Sequence, residues 1–464
     1  MKAGSVRSIP VRHARRVGLM VMACAGIAFA SPGWSLTLTQ AYQAALGSDP
    51  VFASARASYT ASVEQLPQAR ANLLPWVSVT GDVSYSDTRT RFTNQLPRRK
   101  TYADNYGYQL VLSQPLFDWA SWQTYEVAKL SVTVAELQLQ QAYQDLLLRV
   151  SQAYFDILAA QDTLTALEAE RSAISEQLAS AKRNFELGTA TITDTYEAQA
   201  RFDLVGAQLL QAENSLRVRR DVLQQIIGQP PGSPSKLPAG TPVPKPEPAR
   251  IDAWVDRAQT ENLMVVQAQI ATAIAQRDIN IARSGHYPQV SLVGSFGQAD
   301  NPYRPESSLA AAGVSDGRAR STSSTVGVQV SIPVYTGGYV SSRVRQTVAQ
   351  EQRARYDYED ARRSAVQATR EAFLGVNTGL AQIRALEAAE ESSRKALEAN
   401  RTGYEVGVRI NLDVLNSQQQ LYATQRDLAQ ARYNTLMAGL RLKAAAGLLT
   451  EDDIEGLNRL LRMH

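Results

Sequence analysis

The sequence predicts a duplicated, mixed α/β fold in which four β-strands of membrane-spanning length run into long coiled-coil helices. Three observations predict it. The stretch FELGTATITDTYEAQA, from Phe185 to Ala200, recurs without a gap as YEVGVRINLDVLNSQQ, from Tyr404 to Gln419. Four segments of about ten residues alternate apolar with small or polar residues, the period of a strand. Two very long stretches, about 120–186 and 339–405, read as unbroken helix.

The repeat accounts for nearly the whole chain. ANLLPWVSVTG (Ala71 to Gly81) matches SGHYPQVSLVG (Ser284 to Gly294), and YQLVLSQPLFD (Tyr108 to Asp118) matches VGVQVSIPVYT (Val326 to Thr336). VLQQIIGQ closes one half at Gly228 and RLKAAAGL closes the other at Gly447. Self-similarity of this extent is a tandem duplication. The expected organisation is a signal peptide over 1–30, a first repeat over 36–228, a Pro-rich connector over 229–250, a second repeat over 251–447 and a short C-terminal tail over 448–464. The connector, GQPPGSPSKLPAGTPVPKPEPAR with the closing Gly228, can be neither helix nor central strand.

Each half opens with a helical stretch, 39–74 and 252–287. Strands follow. Val77, Val79, Val83 and Tyr85 alternate with Ser78, Thr80, Asp82 and Ser84; the same pattern runs through Tyr106 to Leu112, Val290 to Phe296 and Val326 to Ile332. A half-buried sheet would show this pattern, but a polar face is a poor core wall. Outer-membrane strands need ~9–11 residues to cross at a tilt and alternate lipid-facing with lumen-facing residues. The connections SDTRTRFTNQLPRRKTYAD and QADNPYRPESSLAAAGVSDGRARS read as external loops. Pro75, Pro115, Pro288 and Pro333 mark the strand–helix junctions, where a fixed φ and a missing N–H stop one element and release the other.

In the first long helix a 3-4 spacing runs through Leu146, Val150, Ala153, Ile157, Leu164, Leu167, Ile174, Leu178 and Ala181, with Arg171 as the only break, which is a sustained coiled-coil seam. At 1.5 Å per residue such a helix is roughly 100 Å long. Shorter helices, about 193–227 and 411–446, return along it. Gly188 and Gly407 stand where each long helix should end. Thr193 and Asn411 read as N-caps of the return helices, with Asp194 and Asp413 in or near the first turn; plain capping is the bland reading of these tips.

Composition narrows the function class. Lys2, Arg7, Arg12, Arg15 and Arg16 precede the apolar run VGLMVMACAGIAFA, the pattern of a secretory signal cleaved after Ala30 or Ser35. The formal charge of the chain is +4 and this segment holds five basic and no acidic residues, so its removal leaves −1. Support for nucleic-acid binding goes with it. Cys24, the only cysteine, follows a poor lipoprotein-type sequence and leaves with the signal. His286 and His464 are then the only histidines, too few for a metal cluster or a His-based catalytic array. No phosphate loop, nucleophile elbow or dinucleotide fingerprint occurs. The expectation is no enzyme, no cofactor and no metal.

Four strands cannot close a barrel, and an open edge in lipid leaves backbone groups unbonded. Several copies must therefore complete it; the copy number does not follow from the strands.

The duplicated ELGTATITD and EVGVRINLDVLNSQQQLY, the start LTLTQAYQAAL, the ending ARYNTLMAGLRLKAAAGLL and the four proline junctions resemble the TolC family of outer-membrane channel-tunnels, over roughly Leu36 to Leu457. The resemblance implies a homotrimer in the bacterial outer membrane with a twelve-stranded barrel and a periplasmic helical tunnel. It implies a periplasmic adaptor and an inner-membrane ABC or proton-driven transporter as partners, and export of proteins by type I secretion or of small molecules. It also implies a gate. Tyr404 and Arg409 match latch residues of the second hairpin, and Asp194, after Thr193, matches their acceptor. Asp413 matches one of two inward-facing aspartates at the constriction, while Asn416 stands at the second, so one carboxylate ring is missing. The alternative of a different class is a trimeric structural or adhesin stalk with a coiled-coil shaft and a β-anchor. A stalk would carry one long heptad run per chain rather than a duplicated hairpin with returning helices.

Overall fold

The computed structural model describes residues 36–91, 99–238, 240–305 and 317–461. The signal segment, both cleavage positions, Cys24 and His464 lie outside the described residues. The first half runs α1 (Leu38–Ser48), α2 (Pro50–Val63), α3 (Gln65–Ala71), β1 (Trp76–Thr90), β2 (Arg99–Phe117), α4 (Trp119–Glu186) and α5 (Ile192–Ile227). The second runs α6 (Ile251–Glu261), α7 (Leu263–Ser284), β3 (Gln289–Pro305), β4 (Gly317–Ser331), α8 (Tyr339–Glu405) and α9 (Asn411–Ala445). A last helix, α10 (Glu451–Leu461), follows. The tail beyond Gly447 is thus no loose end: Leu449, Ile454 and Leu461 are buried in the main core.

The four strands form one antiparallel sheet in the order β1-β2-β3-β4. They are 15, 19, 17 and 15 residues long. This corrects the loop assignments, because Ser86–Thr90, Arg99–Asp104, Gln298–Pro305 and Gly317–Ser321 continue the ladder. Polar residues there extend the strands beyond the apolar stretch. Register carries Val79 onto Leu110, Leu110 onto Phe296, and Leu292 onto Val328, so one face is apolar. The other face places Thr80 beside Gln109 and Gln109 beside Gly297. Further along the apolar face come Tyr108, Tyr106, Tyr85 and Tyr102, with the cross-strand pair Asp300 and Arg320 in register with Tyr106. An apolar band ending in an aromatic girdle is the profile of a strand in lipid. Neither face is covered within the chain: Val79 is 72 % exposed on the apolar one, and Thr80 and Gln109 are exposed on the other. Within the chain the sheet is therefore not half-buried.

Pro75 and Pro288 sit immediately before β1 and β3, and Pro333 lies between β4 and α8. Pro115 departs from expectation. It lies inside β2, opposite Ser291, and the register shifts between Pro115 and Phe117. A missing N–H is accommodated at such an irregularity, and the strand ends two residues later.

The opening helices are not continuous. Asp49 takes an extended conformation, accepts from the Phe52 N–H at 2.8 Å and is followed by Pro50 as the first residue of α2. Asn262, at the matching place of the second half, caps α7 through Met264 and Val265. Each break is braced from a different element. Asp49 receives both Arg149 Nη atoms, at 3.1 and 2.7 Å, while Asn262 donates to the Ala445 carbonyl at 2.8 Å. Gly228 and Gly447, with φ of 72° and 77°, end α5 and α9 against these breaks. A Cβ on Gly447 would lie 2.2 Å from the Glu261 oxygen, and one on Gly228 would lie 2.7 Å from Ser48 Cβ.

α4 and α8 hold 68 and 67 residues, each roughly 100 Å long at 1.5 Å per residue. Within the α4 seam Leu146, Val150, Ile157, Leu167, Ile174 and Leu178 are buried. They pack on α1, α2, α5 and α9 in two successive clusters. Arg171, the break in the seam, stacks its guanidinium 5.0 Å above the Phe202 ring. Its charge thus meets a π-face instead of an apolar hole. Among the described residues no helix is long and apolar enough to cross a membrane.

Candidate functional site: the paired hairpin tips

α4 and α8 end in the same turn. Gly188 and Gly407 have φ of 74° and 78°. Gly188 N–H donates to Phe185 O at 3.0 Å and Thr189 N–H to Asn184 O at 2.8 Å; Gly407 N–H donates to Tyr404 O at 3.1 Å and Val408 N–H to Gly403 O at 2.8 Å. This pair of bonds satisfies the last helical carbonyls and requires a left-handed residue, hence glycine at both positions.

The starts of the return helices differ from each other and from the sequence expectation. α5 is capped by Thr191, not Thr193. Thr191 Oγ1 accepts from the Asp194 N–H at 3.3 Å, and the Asp194 carboxylate accepts from Thr191 N–H at 3.0 Å. Asp194 is the third helical residue, so the reciprocal box falls on Thr191 and leaves Thr193 exposed inside the first turn. α9 has Ile410 at the cap position with no side-chain bond, and Asn411 is its first helical residue. Asn411 is fully buried because it joins the two halves. Its Oδ1 accepts from Gln177 Nε2 at 2.6 Å and its Nδ2 donates to Asp194 O at 3.1 Å.

Further links between the halves run up from the tips. Asn184 Nδ2 donates to the Tyr404 hydroxyl at 3.3 Å. Arg426 Nη1 donates to Glu170 at 2.7 Å, with the Glu170 side chain 2 % exposed. Tyr433 donates to Asp162 at 2.7 Å. Burial, then the neighbouring Asp162 carboxylate, pushes the Tyr433 hydroxyl well above its ordinary range. Burial also raises Asp162, offset in part by that same hydrogen bond.

The expected Arg409–Asp194 pair does not form within the chain. Asp194 is engaged by Thr191, and Arg409 lies four residues before Asp413 at a helix start, where its Nη1 comes to 3.6 Å from the Asp413 carboxylate. Arg409 is also seated on Gly403, at which a Cβ would meet Arg409 Cγ at 2.6 Å. Asn416 has a partner that the sequence reading missed. Arg201 on α5 donates through Nη2 to Asn416 Oδ1 at 2.9 Å and through Nη1 to Gln419 Oε1 at 2.6 Å. The available signal was its spacing of one heptad from Asp194, which keeps both on one helix face.

The tips expose apolar side chains: Leu187 at 71 %, Val406 at 69 %, Val408 at 78 % and Ile410 at 59 %. Among the described residues no group of His, Cys, Asp and Glu could hold a metal ion.

A sheet with lipid-type alternation and two open edges, continued by two long hairpins, is matched by known proteins. The profile of the outer membrane efflux protein family covers residues 41–229 and 254–448. The outer membrane protein TolC of Vibrio cholerae is 32 % identical over 451 residues, 96 % of this chain and 98 % of that protein. The alkaline protease secretion protein AprF of Pseudomonas aeruginosa is 31 % identical, with 91 % and 86 % covered. The crystal structure of the CmeC outer membrane channel of Campylobacter jejuni superposes with a TM-score of 0.75 at 16 % identity, covering 92 % of this chain and 89 % of that one. Both halves of the duplication fall inside the match, and the chain belongs to the outer membrane efflux protein family.

Proposed function

We propose that this outer-membrane exit duct works as a homotrimer whose second hairpins close its periplasmic mouth, and that it discharges proteins by type I secretion. The observation that carries the reading is the four-stranded sheet, uncovered on both faces and open at both edges, leading directly into the paired hairpins. Unpaired strand edges are untenable in lipid, so further copies are needed to close the wall. Three copies give the twelve strands that the resemblance implies. The exposed apolar tips suit a periplasmic adaptor, since patches of this kind mark contact sites. An inner-membrane ABC transporter is the matching energy source; a proton-driven transporter and small-molecule cargo make the second reading, favoured by the family's description as efflux proteins. The role is transport without catalysis, with no cofactor and no nucleic acid.

In this reading the closed mouth is held by the links between the hairpins, with Tyr404 bonded to Asn184 and Arg409 fixing the second tip through Asp413. Tyr404→Phe combined with Arg409→Ser raises single-channel conductance in a planar bilayer, with the trimer intact by light scattering in detergent. A double variant that conducts like the wild type would reduce these residues to shaping their turns. A folded, monodisperse monomer would sink the assembly.

A further inference from the structure

We propose that Arg201 clamps the two hairpins of a protomer at the constriction and makes that constriction a recognition site for carboxylate-bearing anions rather than for cations. The inference rests on the duct reading, in which copies of the second hairpin surround the passage.

The charge balance of the tip region carries it. Asp413 is countered by Arg409 at 3.6 Å. The Asp194 carboxylate accepts from Thr191 and completes a helix cap. Arg201 is different. Its two acceptors, Asn416 and Gln419, are neutral amide oxygens. Glu197 and Asp203 share α5 with it, yet neither ion-pairs with it, and Asp203 accepts instead from Gln199 at 3.0 Å. A guanidinium has five N–H donors in a fixed fork. Two of the five are engaged here, so the charge and the remaining donors stay available. A guanidinium without a counter-charge favours a carboxylate, to which it bonds more strongly than to a neutral acceptor.

The same contact explains what Asn416 does. A carboxylate at 416 would sit 2.9 Å from Arg201 Nη2 and neutralise it. The amide accepts the bond without removing the charge. The clamp and the charge are therefore separable by substitution.

The test is planar-bilayer recording of the full-length protein with citrate, a tricarboxylate, or hexaamminecobalt, a trivalent cation, added on the tunnel side. Wild type is blocked by citrate at lower concentration than by hexaamminecobalt. Arg201→Gln and Asn416→Asp each raise the half-blocking citrate concentration about tenfold, equivalent to ~1.4 kcal/mol. Arg201→Lys keeps citrate block within about twofold, because the charge remains, and raises conductance, because the two-pronged hold is lost. Equal citrate block in wild type and Asn416→Asp, or stronger block of wild type by the cation, overturns the inference. Conductance without citrate block overturns it alone; no conductance from any variant overturns the duct reading beneath it.

Discussion

The Asn411 amide donates to the main-chain oxygen of Asp194 across 3.1 Å, tying the start of one return helix to the start of the other. The two tips are thus one unit, and the duplicated motif serves different ends in its two copies. Asp194 caps its own helix, whereas the matching stretch in the second half gives up its cap so that Asn411 can reach across.

Asn411→Leu should loosen the tips without unfolding the equator. It leaves Gln177 Nε2 and the Asp194 carbonyl without their partner. An orphaned buried polar group costs ~1–3 kcal/mol. Hydrogen exchange should quicken over residues 177–194 and 404–415, with protection around Tyr154 and Leu440 unchanged. Uniform loss of protection would contradict the assignment of Asn411 to a local link.

Gly447→Ala should destabilise far more than Gly188→Ala. Both glycines have positive φ, so both substitutions carry a left-handed penalty of ~1–2 kcal/mol. Only Gly447 has a backbone oxygen 2.2 Å from the added carbon; nothing lies within 4 Å of the one added at Gly188. Thermal unfolding in detergent should separate the two variants clearly, and equal midpoints would refute the packing of α9 against the α6–α7 break.

Val79→Arg should impair outer-membrane insertion, at a cost of ~2–4 kcal/mol near the midplane. Gln109→Arg, on the opposite face of the neighbouring strand, should be much milder. Recovery in the outer-membrane fraction measures both. Equal losses would mean that the two faces are equivalent, and a larger loss for Gln109→Arg that they are interchanged.

Acid should weaken the α1–α2 break. Burial alone would raise the Asp49 carboxyl, but hydrogen bonds from Arg149 and the Phe52 N–H, with the Arg149 charge, outweigh it and hold the group below its usual range. A depressed folded-state pKa contributes stability above the unfolded value of ~3.9 and loses it as pH falls through the lower folded value. The thermal midpoint of wild type should therefore fall below about pH 4. Asp49→Asn keeps a cap acceptor without the charge and should be less stable at neutral pH, with a shallower acid slope. An unchanged slope would locate the acid sensitivity elsewhere.

Much of this architecture was legible because it is written in period and repetition. The α4 seam, the alternation of the four strands and the two tip glycines depend on local spacing, and local spacing survives folding. The misreadings share one cause. Thr193 and Asn411 are both good capping types, but Asp194 selects Thr191 as its reciprocal partner, and Gln177, over two hundred residues away, claims Asn411. Pro115 stayed inside a strand because a register shift beside β3 absorbed it. The strand ends were polar and looked like loop until the partner strands supplied their ladder bonds.

By itself the sequence determined the duplication, the long helices, the membrane character of the strands and the glycines of both turns, because each follows from the conformational limits or apolar spacing of neighbouring residues. Only the tertiary structure decided which polar side chains meet. It placed Arg201 on Asn416 and Gln419, Arg426 on Glu170, and Arg409 on Asp413 rather than on Asp194. A hydrogen bond requires two groups within about 3 Å of each other. Where helices from opposite halves lie side by side, that distance is set by their packing and not by either stretch of chain alone.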